Sequence, residues 1–257
     1  MILTLPLLFF TGTFSPGHLS PPLLVSSASL RLDITEAVEA EISNFDTLFE
    51  TWVATYRAAE DDAGREAALE NRPTADDAVK NLFGLVETEP AGDGAFKALT
   101  WIMRAYTSEG ISPSAQAFAL LAEHHIESEQ LKDVAMNLSR GTADMVPGLL
   151  TIAEKSPHHD VQGCATLSAG IILGKDPLTR ERGVKLLEKV IADYSDVTHY
   201  DGRLVLGKKA TGELYVMRNL QVGMTVPEIE NEDVDGVVFK LSDYRGKVVL
   251  LDFWGDW

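Results

Sequence analysis

From Asp33 to about residue 220 the apolar residues recur at spacings of three and four, a period that only a helix converts into a single apolar face. Val38, Ile42, Phe45, Phe49, Trp52, Tyr56 and Ala59 make the first such stripe, and Asp33 with Glu36 has the capping-box spacing that supplies acceptors to the first free amides. Pro73 ends any continuation of that helix. With only about three heptads, the stripe predicts packing onto neighbouring helices rather than a coiled coil.

The rest of this region is punctuated at short intervals. Thr74 is placed to cap a helix carrying Val79, Leu82, Phe83 and Val86, and Asp93 one carrying Phe96, Leu99, Ile102, Met103 and Tyr106. Ser112-Pro113 reads as N-cap plus first-turn proline for a helix with Phe118 and Leu121. Ser128 opens a helix with Leu131, Val134 and Leu138, closed by Gly141, and a further helix around Val146 to Ala153 ends near Ser156-Pro157. Asp160 is placed to cap a helix with Cys164, Leu167 and Ile171, and Pro177 separates it from Thr179 to Tyr194. A last helix is predicted roughly from Arg203 to Leu220, with Leu206, Ala210, Leu214 and Met217 on one face.

Helix starts recur about every 15 to 24 residues, so a helical pair repeats at about 35, near the tetratricopeptide period. The stretch from Arg182 to Tyr194 loosely resembles the second half of such a unit. The expected fold class is mostly α: an irregular α-solenoid, or TPR-like, helical array over residues 31 to 220, with no strand pattern before residue 222. Residues 1 to 30 stand apart. Met1 to Phe10 is nearly all apolar, a Ser/Pro/Gly/Thr-rich stretch follows, and Ser26-Ser27-Ala28 has signal-cleavage-like spacing. No Lys or Arg precedes the apolar run, so a signal-derived leader and an unstructured or mis-assigned start both stay open, as does the choice between an extracytoplasmic and a cytoplasmic location.

Charge limits the partners. With 22 Lys and Arg against 39 Asp and Glu, the formal net charge is −17, which argues against nucleic acid and anionic membrane surfaces. No stretch approaches the roughly 18 to 20 uninterrupted apolar residues of a membrane span. The chain has one cysteine, Cys164, so it cannot build an intramolecular disulfide or a Cys-x-x-Cys centre from its own residues. Cys164 shares the apolar stripe of its helix with Leu167 and Ile171, where thiols are usually inert packing groups. The pairs His124-His125 and His158-His159, the latter beside Asp160, offer at most one easy metal ligand each, because neighbouring helical residues point about 100° apart. Glu36, Glu39, Glu41, Asp61 and Asp62 read as solvated faces, and neither a metal site nor a cofactor is expected.

After Val222 the period shifts. Pro227 blocks helix, Asp235-Gly236 is a tight-turn dipeptide, and Val237, Phe239 and Leu241 alternate after it. Ser242 to Gly246 reads as a capped turn ended by glycine. Val248 to Leu251 is then apolar at every position, the pattern of a strand buried on both faces. The chain closes Asp252-Phe253-Trp254-Gly255-Asp256-Trp257.

This order of features resembles the start of a thioredoxin-like domain, in particular the membrane-anchored or secreted thiol-disulfide oxidoreductases of the redoxin family. The resemblance covers about 36 residues, 221 or 222 to 257, and implies the N-terminal β-hairpin and first central strand of an incomplete thioredoxin-like α/β domain. It places a redox Cys-x-x-Cys immediately beyond Trp257. It also implies that Asp252 lies beneath the disulfide and transfers a proton to or from the second cysteine, and that Trp254 and Trp257 flank or cover it. Burial of Asp252 would raise its pKa. The expected function of the parent protein is thiol-disulfide exchange with protein thiols and disulfides, the chain as given being inactive. Two other readings stay open at this point: a helical protein-binding or dimerisation module carrying a remnant redoxin segment, and a peroxiredoxin-like peroxidase. Phe-Trp-x-x-Trp argues against the peroxidase, whose sites carry a Pro/Thr-containing loop before their cysteine. Residues 222 to 257 are expected to be poorly anchored, because an apolar strand without neighbours leaves its edges open.

Overall fold

The computed structural model describes residues 34–105, 107–108 and 113–252; the leader at residues 1–30, Trp254 and Trp257 lie outside them. The chain is mostly α. In order it forms α1 (Thr35–Ala58), α2 (Asp62–Glu70), α3 (Asp76–Thr88), α4 (Asp93–Ile102), α5 (Ser114–His124), α6 (Leu131–Asn137), α7 (Val146–Lys155), α8 (His159–Lys175), α9 (Arg180–Asp193) and α10 (Leu206–Asn219). Two small antiparallel hairpins accompany them: β1 (Thr198–His199) with β2 (Leu204–Val205), and β3 (Glu230–Glu232) with β4 (Val238–Lys240).

The predicted stripes supply the core. Leu82, Leu99, Phe118, Leu121, Leu131, Leu149, Leu167 and Leu206 are all fully buried, and one apolar cluster runs from Ile34 to Met217. Neighbouring helices pack in chain order, α3 on α4, α4 on α5, α7 on α8, α8 on α9 and α9 on α10, while α1 lies against α2, α3 and α4.

The second half is organised around α8. Every residue from Gly163 to Gly174 is buried, because α6, α7, α9 and α10 all pack against this helix. A helix apolar all round belongs in an interior. Its two hydroxyl residues are satisfied without water: Thr166 Oγ1 donates to the Gln162 carbonyl at 2.7 Å and Ser168 Oγ to the Ala135 carbonyl at 2.7 Å. Gly170 and Gly174 face Gly183 of α9 so closely that a Cβ at Gly183 would stand 2.6 Å from the Gly174 nitrogen and 2.7 Å from the Gly170 carbonyl oxygen.

Helix ends depart from the sequence reading in a consistent way. The segment after α1 is a separate helix, α2, whose N-cap is Asp61: its Oδ1 accepts from the Gly64 amide at 2.8 Å. Asp61 and Asp62 are exposed, as expected, and there serve as the cap and a first-turn residue. Thr74 hydrogen-bonds Asp76 instead of capping, Asp93 is the first helical residue after Gly92, and Asp160 lies in the first turn of α8 behind His158. The β1–β2 hairpin corrects the expectation of no strand before residue 222. Its turn places Tyr200 and Asp201 at φ 52° and 54° and Gly202 at +80°, and Asp201-Gly202 is a turn dipeptide of the same kind as Asp235-Gly236. The last helix accordingly begins at Leu206, not Arg203.

Candidate functional site

The stretch that carries the redoxin resemblance is held by its own short-range bonds. In the β3–β4 hairpin Glu230 faces Lys240, Asn231 faces Phe239 and Glu232 faces Val238. Asp233 organises the turn: its Oδ1 accepts from the amides of Asp235 and Val237, both at 2.9 Å, and its carbonyl accepts from Gly236 at 3.0 Å. Gly236 sits at φ +77°, the left-handed region that makes glycine the fitting residue there. A single 3-10 turn, Leu241–Tyr244, follows, with Asp243 Oδ2 accepting from the Lys240 amide at 3.0 Å, the capped turn that the sequence predicts. Bonds from the Ser242 hydroxyl and its amide hold the Glu228 carboxyl below the usual carboxylate range. The amide bond to Glu228 Oε1 is 2.9 Å. Lys240 Nζ and Glu230 Oε2 pair at 3.0 Å across the hairpin.

Beyond Gly246 the chain is extended without a ladder. Val248 and Leu250 are 102% and 93% exposed, Val249 and Leu251 about half as much, and none of them belongs to a strand among the described residues. The run expected to be buried on both faces is thus open to solvent, because two-sided burial needs sheet neighbours and covering helices. Asp252 is exposed as well, so the desolvation that its assigned role calls for is absent around it. Trp254 and Trp257 lie outside the described residues, and the arrangement of Asp252 with the aromatic pair is not on view.

Cys164 is fully buried on α8, and burial pushes its thiol up to about 12. Lys132 of α6 opposes that shift through its charge, but its ammonium is already held by Asp160 at 2.6 Å. Nothing in the sequence near Cys164 announces Lys132, which reaches it from 32 residues away across the α6–α8 contact. Only the thiolate is a nucleophile, so Cys164 is a packing group. Native protein at pH 8 is expected to leave it unmodified by iodoacetamide over hours, with stoichiometric labelling once urea unfolds the chain; fast native labelling read by mass spectrometry would contradict the burial.

The histidine pairs are dispersed. His158 Nε2 is 2.8 Å from the Glu127 carbonyl, and His159 Nε2 is 3.2 Å from Asp196 Oδ1, a contact that holds the Asp196 carboxyl below its ordinary range. His125 is buried against Phe96, ring centroids 5.3 Å apart, and burial lowers its pKa. Among the described residues no group of three or more His, Cys, Asp or Glu is placed to hold a metal ion. The sequence reading passed over His199, the most enclosed histidine among the described residues at 7% exposure. Its Nε2 lies 2.8 Å from Asp133 Oδ1 yet makes no aligned hydrogen bond, so the contact counts as proximity of charge rather than a bond. No helix among the described residues is long and apolar enough to cross a membrane.

Comparison with known proteins finds similarity over a short stretch. Over 36 residues, 14% of this chain, it is 50% identical to the thiol-disulfide oxidoreductase ResA of Geobacillus thermodenitrificans (strain NG80-2) and 53% identical to that of Geobacillus kaustophilus (strain HTA426). The match spans 21% of the length of each of those relatives. The stretch from 222 to 257 has this same length. No protein-family model and no solved structure matches the chain. The likeness is local and supports, at most, a thioredoxin-like relation.

Proposed function

We propose that the stretch from 222 to 257 opens a redoxin domain and that the protein to which it belongs is a thiol-disulfide oxidoreductase, with residues 31 to 220 as a separate helical domain before it. The observation that carries this reading is the 50 to 53% identity over 36 residues to two thiol-disulfide oxidoreductases. It is supported by the hairpin, capped turn and apolar run standing in the expected order. The one cysteine of the chain is buried and unreactive, so the reading requires a Cys-x-x-Cys following Trp257.

In that pair the first cysteine, as thiolate, attacks a sulfur of a partner protein's disulfide. A mixed disulfide forms and the partner's other sulfur leaves as thiolate. Asp252 takes the proton of the second cysteine, which then attacks the mixed disulfide and releases the partner's remaining sulfur. Two electrons pass to the partner, and the Cys-x-x-Cys is left as a disulfide. Asp252 acquires its role only once completed sheet neighbours enclose it, and Trp254 and Trp257 cover the reacting sulfurs from solvent.

Reading the coding sequence past the codon of Trp257 tests this directly: a Cys-x-x-Cys within the next few codons is expected, and its absence sinks the proposal. The longer product is expected to reduce insulin disulfides at the expense of a dithiol, with Asp252→Asn slowing the resolving step roughly a hundredfold. The 257-residue chain, whose one cysteine is buried, is expected to show no such activity.

A further inference from the structure

Glycine inside a helix is less stable than alanine, so each helical glycine calls for a reason. In much of this molecule the reason is a close neighbour. A Cβ at Gly148, Gly163, Gly170, Gly183 or Gly207 would stand 3.0 Å or closer to atoms packed on it. Gly212, in the middle of α10, has no such neighbour: a Cβ there would meet nothing within 4 Å, and the residue is exposed. Gly84 of α3 is open as well, but Glu87 and Thr88 follow it one turn on. One turn beyond Gly212 stand Tyr215 and Val216, 50% and 42% exposed.

The side of α10 that carries Leu206, Ala210, Leu214 and Met217 is buried, and the helix packs on α8, α9 and β2. Lys208, Thr211, Gly212, Tyr215 and Val216 are exposed, and helical spacing gathers them on the other side. Lys208 breaks a second local rule. It lies in the first turn, where the helix dipole disfavours a cation, and no acidic residue stands there to offset it. Lys209 beside it pairs with Glu213 at 2.7 Å, whereas Lys208 has no carboxylate partner among the described residues. At the other end of α10, Asn219 Nδ2 donates to the Tyr215 carbonyl at 2.9 Å, which leaves Asn219 Oδ1 to accept. The face is thus cationic at its start, small in its middle, and bulky with open acceptors towards its end.

We infer that this face docks on the same face of a second copy of the chain, the two α10 helices antiparallel about a two-fold axis. Size and charge set the register. Tyr215 of each copy seats over Gly212 of the other, where the missing side chain lets the ring approach, and Val216 rests on Thr211. Lys208 then reaches Asn219 Oδ1 and the last carbonyls of the facing helix, the end at which the dipole favours a cation. Antiparallel packing keeps the two Lys208 ammonium groups at opposite ends of the contact; parallel packing sets them side by side and ring against ring. The inference stands on the helical region alone and is independent of the redox reading.

Sedimentation equilibrium of the full 257-residue chain tests this. A monomer–dimer equilibrium is expected, with dimer the main species by about 0.1 mM. Gly212→Leu fills the seat of the ring twice in each dimer and is expected to weaken association roughly a hundredfold. The open space around Gly212 leaves the fold unaffected, so the far-ultraviolet circular dichroism of this variant is expected to match the parent. Lys208→Glu suits the first turn of the lone helix and is expected to weaken the dimer roughly tenfold, a difference that shrinks at high salt. A chain that stays monomeric at that concentration, a dimer that survives Gly212→Leu, or one that Lys208→Glu leaves unchanged or strengthens overturns the inference.

Discussion

Replacing Gly183 by valine is expected to lower the unfolding free energy by about 3 kcal/mol or more, at the upper end of the cost of overpacking a tight interior. The reason lies in what a side chain there would meet. Its Cβ would stand 2.6 Å from the Gly174 nitrogen, 2.7 Å from the Gly170 carbonyl oxygen and 3.0 Å from the Gly174 Cα. All three are main-chain atoms of α8, so no rotamer change relieves the overlap, and α9 as a whole must move away from the most enclosed helix of the molecule. Gly183→Ala separates this cause from helix propensity. Alanine is favoured over glycine in a helix by about 1 kcal/mol, so an alanine variant no less stable than the parent would show that the two helices are not in main-chain contact. Urea midpoints followed by far-ultraviolet circular dichroism give both numbers.

Leu187→Ala is the second large effect, expected to cost about 3 to 4 kcal/mol, the range for deleting a fully enclosed leucine whose surroundings cannot collapse. Leu187 is fully buried on α9, and its Cγ and Cδ2 lie 3.0 Å from where a Cβ on Gly170 would be. That geometry adds a sharper expectation. Gly170→Ala alone pushes on the leucine side chain, whereas in the Leu187→Ala background the new methyl enters the vacated space. The double variant is expected to lose about 1 kcal/mol less than the two single losses added together, a coupling of the size found for residues in contact. Strict additivity would mean that Gly170 and Leu187 do not meet.

Much of the helical part was legible in the sequence because burial follows a period. Val79, Leu82 and Val86, or Leu206, Ala210, Leu214 and Met217, can share one face only as a helix, and those residues are buried. Helix beginnings were less legible, because the residue types that cap also bond elsewhere: Thr74 spends its hydroxyl on Asp76, and Asp160 its carboxylate on Lys132. The β1–β2 hairpin was illegible for another reason. Each strand is two residues long, too short to show an alternation, so only the turn pair Asp201-Gly202 marks the hairpin, with Tyr200 in a left-handed conformation that its type disfavours. At the site, the inertness of Cys164 followed from its place in a stripe, but its charged neighbour Lys132 did not, since that contact is made only by folding. Asp252 was recognisable by its motif, while its surroundings depend on sheet neighbours that the described residues do not supply.

The enclosure of α8 bears on how the molecule is made. Synthesis runs from the amino end, and α1 to α4 can settle on one another as soon as they emerge. When α8 follows, α6 and α7 are there to meet it, but the surfaces destined for α9 and α10 stay wet. One of these is the patch where the Met217 methyl comes to rest, so close to Gly174 that a side chain there would have to push it aside. Until α10 docks, α8 lacks part of its cover. Until α9 and α10 dock, the chain presents an apolar helix to whatever else in the cell binds such surfaces.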